Sequence, residues 1–375
     1  MKVGIMTMHR ILNYGSYMQA LSLKRMVESL GHEVVFVDYR PGKSIYDLTQ
    51  PPNKIKDKIK KSILWKKAIE FYQKYILHIK LISDEELLKM KSFEDSYKVL
   101  GVAKKPQYNT KVDVLIIGSD EVFNCLQDNE IVGYSMELFG KNHKAKKLVS
   151  YAASFGYTTY QSLTNFGKEE EIGEFLKKFD ALSVRDNNSC TLVTKLTGKT
   201  PQLHLDPVLV GYAEKLEWLD VDMAGHIVVY GYANRFSEEE GKQIQEFARK
   251  KGLKTVALCE PQSFCDESIR CRPDEILSYF KNAAYVITDT FHGSIFSVIN
   301  HIPFVAFCRE TAQKNVTNRE KLVDLLERLG LTDRLYNSET NLEEILEKPI
   351  DFEKTDELRE IQRARSLEYL KSIIS

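Results

Sequence analysis

Short apolar runs of β character recur along this chain, and stretches of helical periodicity separate them. That alternation constrains the fold most, because it is the mark of parallel strands joined by crossover helices. In the first half the runs fall at residues 2–7, 33–38, 112–117, 147–152 and 181–185. Between the first two, residues 16–30 read as a helix with Met18, Leu21, Met26, Val27 and Leu30 on one face and Gly31 as its stop. The second half repeats the rhythm at 226–232, 254–258, 284–288 and 303–307. Asp206-Pro207 marks the crossing between the halves, since proline ends regular structure and restrains its neighbour. With 375 residues the chain is long for one core and suits two. Residues 352–374 read as a terminal helix that packs through Phe352, Leu358, Ile361, Leu367, Leu370 and Ile374.

Charge narrows the partners. Lys+Arg and Asp+Glu both number 53, so no global field selects nucleic acid and electrostatic recognition must be local. The six cysteines form no C-x-x-C pair and have no histidine at zinc-finger spacing, so they read as scattered reduced thiols. The first apolar run is too short for a secretory signal and nothing approaches a spanning helix, so the expected compartment is the cytoplasm. One stretch is distinct: Lys54 to Lys80 holds nine lysines against Asp57 and Glu70, with isoleucines at helical spacing. It reads either as a solvated lysine face or as a basic helix that docks on anionic lipid at the inner membrane face.

Chemistry in open α/β sheets gathers beyond the carboxyl ends of the strands, and four turns there carry unusual polar residues. Asn13-Tyr14-Gly15-Ser16 precedes the first helix; it offers either free N–H groups to an anion or a simple cap by Ser16. Gly118-Ser119-Asp120-Glu121-Val122-Phe123-Asn124 either caps a helix or sets the Asp120 carboxylate in a cleft. Thr288-Asp289-Thr290-Phe291-His292-Gly293-Ser294 brings a histidine to a strand end, where its ordinary pKa suits proton transfer near neutrality. Arg185 ends an apolar run; it is either a fork for carboxylate or phosphate or the partner of Asp186 or another acid.

Taken together, and with Ser150 to Gly156, Asp206-Pro207 and Pro303-Phe304-Val305, these segments resemble the polysaccharide pyruvyl transferases, in order and spacing, over about residues 3–335. The resemblance implies an α/β fold of two Rossmann-like domains facing across a cleft, as in GT-B glycosyltransferases. Residues 1–205 would form the acceptor side with a basic helical insert at 54–100, residues 206–350 the donor side, and 351–375 a helix packing back on the first domain. It implies phosphoenolpyruvate as donor, a saccharide hydroxyl pair as acceptor, a pyruvate ketal as product, and no metal or organic cofactor. The lysine-rich stretch would suit a lipid-linked acceptor. The residues expected to act are His292 as general acid or base, Arg185 as the grip on the donor, and Asp120 toward the acceptor. Gly15, Ser16, Thr290, Gly293 and Ser294 are expected around the donor anion, and Asn13, Tyr14, Ser119 and Asn124 around the acceptor. Some members carry arginine where this chain has Thr290; Arg185 first, then Arg235, Arg309, Lys314 and Arg319, are the cations that would replace it. A nucleotide-sugar glycosyltransferase and a non-catalytic envelope-assembly protein are the alternative readings.

Overall fold

The computed structural model describes residues 1–46, 84–127, 129, 131–211, 225–311, 316–317, 319–337 and 341–375. The lysine-rich stretch from Lys54 to Lys80 and Lys314 lie outside these residues.

The first half builds a parallel sheet from β1 (Lys2–Met6), β2 (Glu33–Phe36), β3 (Val112–Ile117) and β4 (Ala145–Ser150), in the order β2-β1-β3-β4. Single bridges from Val149 to Ala181 and from Ala153 to Val184 carry it on to a parallel pair, β5 (Ser183–Val184) and β6 (Gln202–Leu203). The second half builds β7 (His226–Gly231), β8 (Thr255–Cys259), β9 (Glu267–Ser268), β10 (Ala283–Thr288) and β11 (Phe304–Ala306) into the parallel order β11-β10-β7-β8-β9. β6 and β9 have only two residues each; neither is long enough to show an apolar pattern.

Both strand orders reverse direction once, between β1 and β3 in the first sheet and between β7 and β10 in the second. At such a reversal the neighbouring loops diverge to opposite faces and leave a crevice. The turns singled out by sequence follow β1, β3 and β10, and so border these two crevices.

Strand side chains alternate between a shared interior and two outer cores. Val3, Ile5, Val114 and Ile116 from the first sheet belong to the same apolar cluster as Val228, Tyr230, Val286 and Phe304 from the second. Leu115 and Ile117 turn to an outer core with Phe123, Phe139 and Phe155, and Ile227, Val229, Ile287 and Val305 turn to another. Burial on both faces is what the near-continuous apolar runs of parallel strands require. Each such aliphatic side chain contributes about 1.5–3 kcal/mol on full burial.

Tyr14, expected toward an acceptor, sits inside that shared interior with 1% of its surface exposed. Its ring meets Phe93 edge-on at 5.4 Å and Tyr230 at 6.5 Å, and its hydroxyl donates to the Cys271 carbonyl at 3.1 Å. Around it, Tyr17 donates to the Ser96 carbonyl and Ser96 to Asp274 at 2.6 Å, while Lys89 pairs with Glu260 at 2.6 Å.

The terminal helix runs over Phe352–Ile374. Tyr369 donates to the Ser150 carbonyl at 2.8 Å, which ties the helix to the first sheet. Arg359 and Arg363 turn inward and donate to the carbonyls of Leu209, Val210 and Gly211. Ile361, expected to pack, is 52% exposed instead. The inward face is therefore part guanidinium, so apolar periodicity alone misassigned it. The helix Arg319–Leu329 also reaches the first half: Asn187 donates to Asp324, and Arg328 to the Arg185 carbonyl at 3.1 Å.

Candidate active site

The helix after β1 begins at Tyr14, two residues earlier than Ser16, because Asn13 is its cap: Asn13 Oδ1 accepts the Ser16 N–H at 3.0 Å. The Asn13 amide then donates to the Tyr232 hydroxyl at 2.7 Å, across to the second half. Ser16 donates its hydroxyl to Asp120 at 2.7 Å. Gly15 lies directly beneath the His292 imidazole. A Cβ there would sit 2.1 Å from His292 Nδ1, so only glycine admits this approach.

His292 stands in the first turn of the helix Phe291–Ile299. Thr290 caps it, accepting the Gly293 N–H at 2.9 Å, and Ser294 bonds back to the Thr290 carbonyl through both N–H and hydroxyl. Thr288 braces the turn by donating to the Tyr230 carbonyl at 2.7 Å and accepting the Thr290 N–H. A Cβ at Gly293 would lie 2.1 Å from Thr288 Oγ1. Thr290, Gly293 and Ser294, expected at the donor anion, thus spend these groups on building the turn that presents His292.

Arg185 follows β5 and is 3% exposed. It donates to Asp206 Oδ2 at 2.8 Å, stands 3.7 Å from Asp120 Oδ1, and lies over the Phe291 ring at 4.5 Å. Asp186, the nearest acid in sequence, is occupied elsewhere: it caps the following helix at Ser189 and accepts the Ser154 hydroxyl at 2.6 Å. Two carboxylates beside one guanidinium neutralise it, which leaves Arg185 less free to grip a donor than a lone fork would be.

In sequence Asp206 reads as the crossing point and as part of a matching segment, with no role at the site. The parallel register of Val184 with Leu203 brings residue 206 beside residue 185. Asp206 Oδ1 accepts the Val208 N–H at 3.0 Å, so the residue caps the short helix Pro207–Val210. Its Oδ2 faces Arg185 and lies 3.6 Å from His292 Nε2. Burial alone would raise this carboxyl, but the adjoining His292 and Arg185 outweigh it and hold it at about 2. Its place in a matching segment was the available signal; its partners are 21 and 86 positions away, so its role emerges from the fold.

Ser119 and Asn124, expected at an acceptor, support the loop. Ser119 is fully buried and donates to the Ala152 carbonyl at 3.0 Å. Asn124 accepts from Thr158 and donates to Glu121 at 3.0 Å. Asp120 itself is held with φ at 79° beside Ser16 and Arg185. Next to it Glu121 pairs with Lys321 at 2.7 Å; burial raises that carboxyl, but Lys321 and Arg185 bring it down to about 2.

The other expected cations divide by position. Arg235 is half exposed, lies over the Tyr232 ring at 4.5 Å and stands 3.7 Å from Asp289. Arg309 donates to Glu240 at 2.8 Å between the Phe236 and Phe307 rings. Asp289 is fully buried, and burial pushes its carboxyl up against the opposing pull of Arg235 and Arg309. Arg319 is exposed at the start of its helix.

The structure therefore brings Gly15, Ser16, Asp120, Arg185, Asp206 and His292 to one seam between two sheet reversals. Among solved structures, the S. aureus MnaA–UDP complex has a similar fold, with a TM-score of 0.50 at 9% identity over 100% of this chain and 96% of that one. A UDP-GlcNAc 2-epimerase from Neisseria meningitidis bound to UDP-GlcNAc gives a TM-score of 0.47 at 10% identity, covering 100% and 99% of the two chains. No curated protein matches the sequence. The family model for polysaccharide pyruvyl transferase matches residues 13–308, from the Asn13 cap through the Arg185, Asp206 and His292 segments, and the chain belongs to that family.

Proposed function

We propose that the protein transfers the pyruvyl unit of phosphoenolpyruvate onto two hydroxyls of a saccharide, forming a ketal and releasing phosphate during cell-surface polysaccharide synthesis. The observation that carries this reading is a partly exposed histidine from one half that faces Asp206 at 3.6 Å, with Arg185 bridging Asp206 and Asp120 behind it, in a chain of this family. His292 as imidazolium gives a proton to the donor's methylene carbon, and the first hydroxyl adds to the adjacent carbon as Asp120 takes its proton. The second hydroxyl displaces phosphate from that carbon; its proton returns to His292, and Asp120 passes its own proton to the departing phosphate, which leaves as hydrogen phosphate. The donor carboxylate would compete with Asp120 for Arg185, whose distance of 3.7 Å is the looser of its two ties. Arg235, half exposed beside Asn13 and Tyr232, is the second cation within reach of an anion at the cleft mouth.

The test combines phosphate release with ligand-dependent melting. Phosphoenolpyruvate should raise the melting temperature, and phosphate should appear only when a saccharide acceptor is added. His292→Ala should lower that release by about 10²–10⁴ with the fold intact. A melting shift with a nucleotide sugar and none with phosphoenolpyruvate would instead support a glycosyltransferase. We further propose that the acceptor is lipid-linked, with Lys54 to Lys80 docking on the inner membrane face; salt-sensitive sedimentation with anionic vesicles is the expected result.

A further inference from the structure

We infer that Asp206 is a positioning residue that fixes the tautomer of His292, so that Nδ1, the nitrogen above Gly15, is the one that exchanges a proton with substrate. The inference about catalysis rests on the proposed transfer; the tautomer does not.

Three geometric facts point the same way. His292 Nε2 is sealed from solvent, and among the described residues Asp206 Oδ2, at 3.6 Å, is the acceptor it faces. An ionised carboxylate only accepts, so a proton on Nε2 is favoured there. The Asp206 carboxylate cannot turn away, because Oδ1 holds the Val208 N–H at 3.0 Å and Oδ2 holds Arg185 at 2.8 Å. The opposite ring nitrogen, Nδ1, lies against Gly15, where any side chain would collide with it.

Among the described residues, Asp206 is the acid paired with His292. The first helix presents Gly15 and Ser16, and His292's own helix presents Phe291 and Phe296. Asp206 is paired with Arg185, whose other acidic neighbours are Asp120, Asp186 and Glu121, and Asp120 also accepts the Ser16 hydroxyl. In neutral His292 the Nδ1 lone pair is then the free base, and in the cation the Nδ1 proton is the one available for transfer. This makes the crossing between the two halves part of the proton chemistry rather than only a joint.

The experiment is nitrogen NMR of the full-length protein labelled at histidine, with His292 assigned by the resonance lost in His292→Gln. In its neutral form, at alkaline pH, His292 should show a protonated Nε2 and a bare Nδ1. Asp206→Asn preserves shape and capping, yet should shift the tautomer. The same variant should lose up to about 10⁴ in kcat, the cost of a wrong tautomer. A protonated Nδ1 in the unmutated protein would overturn the inference, a result that does not depend on the variant folding. An unchanged His292 tautomer in folded Asp206→Asn would overturn it as well. The predicted tautomer in a protein that turns over no phosphoenolpyruvate would uphold the positioning role and refute the proposed transfer.

Discussion

Gly15→Ala is the sharpest single perturbation of this seam. A methyl group there would stand 2.1 Å from His292 Nδ1, 2.4 Å from Cγ and 2.7 Å from Cε1, where ordinary contact begins at 3.4 Å. The imidazole must therefore retreat by about 1.3 Å, or the first helix must withdraw with Asn13 and Ser16 attached. The helix itself is not harmed, since alanine is favoured over glycine by up to about 1 kcal/mol in a helix. Stability should thus change little, with a melting temperature within a few degrees of the parent. Turnover should not survive, because a 1 Å misplacement costs on the order of 10²-fold, or about 2.7 kcal/mol of transition-state stabilisation. Phosphate release under saturating donor, read beside a thermal melt, separates the two quantities. A folded Gly15→Ala protein with turnover within threefold of the parent would refute the reasoning, since His292 would then work well away from its place above Gly15.

Other expectations concern stability and pH. Burial holds the His204 imidazole down at about 4, between the Tyr151 and Tyr369 rings. Because it is neutral when folded and titrates near 6.5 when unfolded, its stabilisation is complete above pH 6.5 and is lost as pH falls toward 4, by up to roughly 3 kcal/mol. Urea titrations at pH 7 and pH 4.5 should show that loss shrink in His204→Phe; an equal loss in both would exclude His204 as its source. Asp324 works the other way: burial lifts its carboxyl to about 6, so the folded state gains protons between about 6 and 4 and the acid loss is blunted. Asp324→Asn should therefore steepen the decline, and an unchanged slope would count against the raised value. Arg334, fully buried and donating to the carbonyls of Ile345 and Lys348, should cost about 2–4 kcal/mol when changed to Met, through the carbonyls left unpaired. Turnover per folded molecule should hold, and a selective loss of turnover would give Arg334 a role at the site.

The fold was legible where strands are long and buried on both faces. β3 spans 112–117 in sequence pattern and structure alike, and the terminal helix keeps its expected 352–374 bounds. The two-residue strands β6 and β9 were not legible, since two residues carry no period. At the site, His292, Arg185 and Asp120 could be read because each ends a strand beside polar neighbours, and the structure sets all three on one seam. Tyr14, Ser119 and Asn124 looked equally exposed to chemistry, but their polar atoms close loops and the interior instead. Sequence cannot tell a side chain that points out of a turn from one that stitches it. Thr290 shows the same limit: expected at the donor anion, it caps its own helix. Asp206 was legible as part of a matching segment, but its role at the site was not, because that depends on β6 lying beside β5.

The shared interior has a consequence for anyone who would recombine family members. A chimera cut at the crossing between the two Rossmann-like halves would pair residues 1–205 of one parent with the second half of another. Here such a cut would pass through a single apolar cluster that includes Val114 and Ile116 in one sheet, Tyr230 and Phe304 in the other, and Ile374 at the far end of the chain. Tyr14 is seated on Phe93 and Tyr230 and hangs from Cys271, so its pocket is lined from both parents. The exchangeable block is therefore not residues 1–205 alone. It is that half together with the helix Phe352–Ile374, and with Tyr230, Cys271 and Asp274 matched to the incoming Tyr14 and Ser96.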